Sequence, residues 1–217
     1  MPIRHAVLFA VVALALQACA DMTTTASLPP RPPVDPRTQM AELEARIFAL
    51  VQDERHKIDP AAKPLALDAE LISVARAHST DMAVKNYFAH KSPTGESSAD
   101  LIMDKDEKWQ GLLGENLAAQ HFNVGYDVDI DVFAHRFVES WLESPSHKEN
   151  LAFAAYDKTG VGAAVSGDTI YVTELFATDL GLPPVKDNPK SRKVTEYPDA
   201  KTARDAPPPK PVPRPPS

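Results

Sequence analysis

The placement of proline limits where this chain can build a core. Of its 21 prolines, five fall between Pro29 and Pro36, eleven between Pro183 and Pro216, and only four between Arg37 and Leu182. Proline has a fixed φ and no N–H, so dense clusters exclude helix interiors and central strands. The folded part is therefore expected at residues 38–182, about 140 residues, enough for one hydrophobic core. Residues 19–37 read as an extended spacer. The tail, residues 183–217, ends in DAPPPKPVPRPPS. It has almost no apolar side chains to bury and is expected to be disordered or polyproline-like.

The first 18 residues do not read as part of the fold. Arg4 gives a basic start, and Ala6 to Leu16 is an unbroken apolar run. Such a run suits a signal-peptide core and is too short to span a bilayer. The run ends in LQAC, and Cys19 is the single cysteine of the chain. The segment resembles the lipobox of bacterial lipoproteins, which implies a signal peptide over residues 1–18 and lipid attachment at Cys19. Ala20, where an aspartate favours inner-membrane retention in such proteins, implies an outer-membrane address. A lone cysteine cannot close an internal disulfide. The formal charge of −7, with no basic stripe, gives no nucleic-acid partner.

Within the folded part, Met40 to Asp59 carries Leu43, Ile47, Leu50, Val51 and Ile58 on one stripe, with Asp35-Pro36 just upstream. That spacing predicts an amphipathic helix. A second helix starts at a plausible N-cap, Asp68, and fades near Asn86. His78 falls on its apolar stripe and is expected to be a buried, hydrogen-bonded structural histidine. The loop YFAH then ends in His90. Ser97 to Met103 suits one or two helical turns. Gly111 to Ala118, GLLGENLA, has no clear period. A third long helix is expected from Asp129 to Glu143, with Ile130, Phe133, Phe137 and Trp141 on its core face. Pro145 ends it. The last element reads as a hairpin about Gly167-Asp168, in a type II′ turn. Its register would place Val165 opposite Ile170, Ala163 opposite Val172 and Val161 opposite Glu174. Glu174 then shares a face with Ile170, Val172 and Phe176, which is costly for an unpaired carboxylate. Helices around a few strands without βαβ alternation give an α+β domain layered α-β-α, with the C-terminal hairpin contributing to the sheet.

Ser144 precedes Pro145 and lacks a nucleophile-elbow setting. It reads as an N-cap with proline at N1. His147 then lies in the first turn of a new helix, where the macrodipole disfavours an imidazolium. Asn116 and Asn150 read as scaffold residues that bond main chain. Trp141 reads as core, and Tyr87 and Phe88 as packing beneath the loop.

Four segments stand in a recognisable order: AHSTDMAVKNYFAHKSPTG, GENLA, WLESPSHKENL, and GVG with a strand ending in TELFA. Together they resemble the CAP superfamily (cysteine-rich secretory proteins, antigen 5 and pathogenesis-related plant proteins), also known as the SCP domain. The likeness runs from about Met40 to Leu180 and is greatest to the bacterial, cysteine-poor branch. It implies an α-β-α sandwich whose central cleft holds two histidines and two acids. By motif, those would be His90, Glu115 and His147. Ser144 stands where the second acid would be. A further departure is Thr173-Glu174, where the strand often carries Thr-Gln, so Glu174 is a candidate replacement acid.

Two imidazoles with one or two carboxylates can bind a divalent metal such as zinc, act as acid and base, or shape a polar cleft. His90 and His147 are the candidate metal ligands, with no cofactor required. The resemblance implies a membrane-anchored envelope binding module for a lipid, a glycan such as peptidoglycan, or a peptide. The alternative is a metal-assisted or acid-base hydrolase.

Overall fold

The structure, a computed structural model, describes residues 32–179 and the backbone of Thr195–Glu196. Contacts divide the chain into Met1–Pro32 and Pro33–Ser217, and every element below belongs to the second unit. The expected signal segment, Cys19 and most of the spacer and tail lie outside the described residues.

A short 3-10 turn, Pro36–Gln39, is capped by Asp35, whose carboxylate accepts from the Arg37 N–H. It leads into α1, Met40–Ile58, which buries the expected stripe of Leu43, Ile47, Leu50 and Val51. A two-residue strand, β1 (Ala66–Leu67), precedes α2 (Ala69–Lys85). Asp68 caps α2 through the N–H groups of Glu70 and Leu71, and Asn86 ends it in the left-handed region at φ 54°. A capping box, Ser97 with Asp100, starts α3 (Ser98–Lys105).

The segment that had no clear period is a long strand, β2 (Gly111–His121). It pairs along its whole length with the last strand of the hairpin, Gly111 opposite Asp179 through His121 opposite Thr169. Both of its faces are covered by helices, so the half-buried alternation that marks a strand in sequence is missing. α4 (Ile130–Glu143) and α5 (Pro145–Ala152) follow, separated by Ser144. The hairpin is β3 (Lys158–Ser166) and β4 (Thr169–Asp179), in the expected register. Positive φ occurs at Gly167 and not at Asp168, as a type II′ turn requires. β5, Thr195–Glu196, pairs parallel with Leu112–Leu113. Two residues of the expected disordered tail therefore belong to the sheet, whose order is β1-β3-β4-β2-β5.

The sheet is the middle layer. On one face α1, α4 and α5 enclose the main core, where Phe137, Trp141, Leu151 and Tyr156 meet Ile170, Val172 and Phe176. On the other face α2 and α3 cover Leu113, Leu175 and Ala177. The helix α2 lies directly on β3 at the GVG motif: a Cβ at Gly160 or Gly162 would run into the main chain of Ile72 or Arg76.

Two buried charges tie elements together. Glu44 of α1 accepts from the Ala163 N–H at 2.9 Å, on the edge of β3 beyond the two residues that β1 pairs. Its other partner is Arg76 of α2, which grips it with Nε and a terminal nitrogen. A carboxylate from one layer and a guanidinium from the other thus close over a strand edge. Arg55, 1 % exposed, donates to the carbonyls of Lys63, Leu151, Phe153 and Tyr156. Burial pushes its pKa down from the ordinary value. The carbonyls of Leu151, Phe153 and Tyr156 thereby fix the end of α5 and the turn that follows against α1.

Candidate functional site

Glu115 is the hub of the polar cluster on the α2–α3 side of β2. Residue 115 pairs with Leu175 across the sheet, so its side chain points toward α2 and α3. There it meets residues from three other segments. His90 Nδ1, at the end of the YFAH loop, lies 2.6 Å from Oε1. His78 Nδ1, on α2, lies 3.2 Å from Oε2. The Ser98 hydroxyl, at the start of α3, donates to Oε2 and lies 3.0 Å from His78 Nδ1.

These contacts assign the protons. The carboxylate can only accept, so His90 Nδ1 carries hydrogen. In the neutral ring this leaves Nε2 with its lone pair. The carboxylate thereby fixes the tautomer and orientation of His90, as second partners of functional imidazoles do. His78 differs. Its Nε2 faces the Ala89 carbonyl at 3.1 Å, so both ring nitrogens face acceptors and both donate. His78 is thus held as an imidazolium against Glu115, with its pKa raised: burial alone would lower it, but the charge and hydrogen bond of Glu115 outweigh that. Burial alone would conversely raise Glu115. The His78 charge and the bonds from both histidines instead hold its carboxyl well below the usual carboxylate range. Exposure of the Glu115 side chain is 11 % and of His78 4 %. The two opposite charges compensate each other out of water.

His78 is the member that sequence reasoning missed. Its burial on the α2 stripe was legible, and it is 3 % exposed. Its partnership with Glu115 was not, since that needs the packing of α2 over the sheet. The signal available was a polar ring on an apolar face, which demands partners.

His147 approaches from the opposite layer. It sits in the first turn of α5, after Pro145. Its pKa is pushed down to about 4, first by burial and then by the neighbouring charge of His90, with Glu115 opposing. His147 is therefore within electrostatic reach of both, and it is a neutral imidazole at ordinary pH. The macrodipole argument from sequence gave the same direction by a different cause. Its main-chain carbonyl accepts from Asn116 Nδ2 at 3.1 Å.

The remaining candidates fall outside this cluster. Ser144 occupies the N-cap position with Pro145 at N1, but its side chain makes no cap hydrogen bond. Its hydroxyl lies 3.3 Å from the Ser146 hydroxyl instead, and nothing activates it as a nucleophile. Glu174 does not replace the missing acid. It is 0 % exposed, on the opposite sheet face from Glu115, beside Asn116 and Val161. Strand alternation separates the two carboxylates. One oxygen of Glu174 accepts from Thr159 Oγ1 at 3.1 Å, while the other has no partner among the described residues. Burial pushes its carboxyl up to about 8, so it is largely protonated at neutral pH. Trp141 is buried and donates to the Leu117 carbonyl at 3.1 Å. Tyr87 and Phe88 pack on Met82 and Leu117.

Both Glu115 oxygens are already engaged, so the imidazole nitrogens left to a ligand are those of His90 Nε2 and the His147 ring. Two imidazoles are fewer than the three protein ligands of a catalytic zinc centre. Among the described residues, no group of three or more His, Cys, Asp or Glu side chains is arranged to hold a metal ion. The donor set does not by itself make such a centre. Chemically it offers an imidazole positioned by a carboxylate, His90, and a second, neutral imidazole, His147, within electrostatic reach of it. This arrangement can hydrogen-bond a ligand or accept a proton.

Comparison with known proteins agrees with the architecture. A Bacillus subtilis protein, YkwD, is 31 % identical over 150 residues, covering 69 % of this chain and 51 % of its own length. The membrane protein YlbC of the same organism is 32 % identical over 112 residues, covering 52 % of this chain and 28 % of its own. The chain thus spans about half or less of the curated relatives it matches. An SCP-domain extracellular protein from Bacillus anthracis superposes with a TM-score of 0.52 at 33 % identity, over 69 % of this chain and 44 % of that one. An outer surface protein from Borrelia burgdorferi, at 22 % identity and a TM-score of 0.54, covers 67 % of this chain and 96 % of its own and shares the fold. The pattern of the cysteine-rich secretory protein family matches residues 60–178, from just before β1 to the end of β4. With the α-β-α layering, the GEN strand and the SPSH turn in place, the chain belongs to this family, the CAP family.

Proposed function

We propose that this is a membrane-anchored cell-envelope protein whose CAP domain binds a ligand in the cleft between His90 and His147. The carrying observation is the Glu115 carboxylate held between His78 and His90. It compensates the buried His78 and holds the His90 ring through Nδ1, so that Nε2 is the ring nitrogen left to a ligand. A cleft with an uncharged His147 and an oriented His90 ring suits hydroxyl and amide groups, as in a glycan strand of the cell wall or a peptide. The anchor in this reading is a lipid on Cys19. The apolar run before Cys19 and Ala20 after it support an outer-membrane site.

A second reading is favoured by one specific feature. The His90–Glu115 couple at 2.6 Å is the arrangement that orients a general base. On that reading the protein hydrolyses peptide or cell-wall material.

Full-length protein incubated with peptidoglycan sacculi, with phosphatidylcholine vesicles and with a peptide library separates these. Retention on sacculi or peptides that falls about tenfold in His90→Ala, without release of products, supports the binding module. Product release that stops in His90→Ala, with or without chelator, supports the hydrolase. Retention unchanged in both His90→Ala and His147→Ala overturns the assignment of the cleft.

A further inference from the structure

The two sequence motifs that supply Glu115 and His147 each contain an asparagine, and these asparagines meet. Asn116 directly follows Glu115, and Asn150 lies one helical turn after His147. Asn150 Nδ2 donates to Asn116 Oδ1 at 2.9 Å and to the Glu115 carbonyl at 3.3 Å. Asn116 Nδ2 then donates to the His147 carbonyl at 3.1 Å. A continuous path of amide bonds therefore runs from the main chain of Glu115, through both side chains, to the main chain of His147. Asn116 is 0 % exposed and Asn150 5 %.

The path has no regular secondary structure to replace it. β2 pairs with β4 on one side, and β5 reaches only Leu112 and Leu113 on the other. Next to the cleft, the outward carbonyls of Glu115 and Leu117 are taken by Asn150 and by the Trp141 indole. α5 is eight residues long, too short to hold its own position. Its first turn, which carries His147, follows a Ser144 that makes no side-chain cap. The carbonyl of His147 is fastened to the strand by Asn116.

We infer that Asn116 and Asn150 are positioning residues that lock His147 to the strand bearing Glu115, and so set the width of the cleft. This rests on the reading of His90, Glu115 and His147 as one site. Neither asparagine touches the cleft-facing ring atoms. They act through the main chain of Glu115 and His147, with their own amides buried and bonded to each other.

Carbethoxylation of histidines by diethyl pyrocarbonate, read by mass spectrometry on the full chain, tests this without any ligand. Exposed His56 serves as the internal standard. Asn150→Ala and Asn116→Ala are each expected to raise the rate at His147 relative to His56 by about fivefold, the change that loss of one net hydrogen bond gives. The double variant is expected to do no more than the larger single one, because the two amides form one path. Thr159→Val, buried on the same sheet face but outside the path, is expected to lower the melting temperature and leave the His147 rate unchanged. Equal acceleration in Thr159→Val, additivity in the double variant, or no acceleration in either asparagine variant would overturn the inference. If Asn150→Ala does not fold, Asn116→Ala carries the test together with the wild-type side-chain amide of Asn116. Slow solvent exchange of that amide is expected, and exchange as fast as that of an exposed asparagine refutes the path. Since no ligand is used, failure here leaves the binding role untouched. Failure of binding, in turn, leaves the amide path untouched.

Discussion

His90 Nδ1 and Glu115 Oε1 stand 2.6 Å apart, and the second oxygen of the same carboxylate faces His78. One carboxylate thus does two jobs. It compensates a buried imidazolium on α2, and it orients the imidazole of His90. Several measurable consequences come from that division.

Glu115→Gln keeps the shape but removes the charge. His78 is then left as a buried cation with a neutral partner, and breaking such a pair costs about 3–5 kcal/mol. Urea unfolding at pH 7 should show a loss of that order. The pH profile carries a sign. The folded pKa of Glu115 lies below its ordinary 4.5, so its contribution is present above that pH and lost as the pH falls toward the folded value. His78 is raised above 6.5, so its contribution is present below 6.5 and lost as the pH rises through the raised value. The Gln variant should lose both limbs. An unchanged profile would contradict the charge assignment.

Glu174 makes the opposite prediction. Its folded pKa is about 8 against an unfolded 4.5. Between those values the folded state holds a proton that the unfolded state has released. Stability therefore falls as the pH rises from about 4.5 to about 8. Glu174→Gln, which presents an amide in the same space, should raise the melting temperature at pH 8 and remove that slope. Scanning calorimetry across pH 5–9 checks it. A variant less stable than wild type at pH 8 would show that the carboxylate is ionised and paired in the folded protein.

The contrast between these two glutamates marks how far the sequence could be read. Helix positions followed from the stripes of α1, α2 and α4, and the hairpin register from Gly167 and the alternation of β4. The same register put Glu174 on an apolar face, and it is there. The sequence could not show which residues share that side of β2, because a strand covered on both faces has no period to read. So Glu174 was a candidate for the cleft, when it lies beneath the other side of the sheet. His78 was read as a buried scaffold residue, which it is, but its carboxylate partner lies 37 positions away. The amide path from Asn150 to Asn116 is of the same kind. Local pattern identified both asparagines as buried, and only the meeting of α5 with β2 shows what they join.

His147 should titrate near pH 4, well below an ordinary histidine at 6.5. The unfolded chain binds a proton between those values and the folded chain does not. Its effect is thus a loss of stability as the pH falls from 6.5 to about 4. Ring resonances of His147 followed by NMR from pH 8 to 3.5 should stay in the neutral position down to about pH 5. Titration near 6.5 would mean a hydrated ring with no burial in the cleft wall.

Cys19→Ala separates the anchor from the domain. With the wild-type chain expressed in a bacterium that lipidates exported proteins, a radiolabelled fatty acid should be incorporated and the protein should sediment with membranes. The variant should lose the label and appear in the soluble fraction. Label retained in the variant, or a wild-type chain that is unlabelled, would contradict lipid attachment at Cys19.

The central claim is that His90 and His147 line one ligand-binding cleft. NMR of the two imidazole rings during titration with soluble peptidoglycan fragments, and then with peptides, tests this most directly. Both rings are expected to shift along one saturating curve, and His90→Ala is expected to weaken binding about tenfold, roughly 1.4 kcal/mol. Saturable binding that moves neither ring and is as tight in His90→Ala and His147→Ala as in wild type would place the ligand elsewhere and contradict the account.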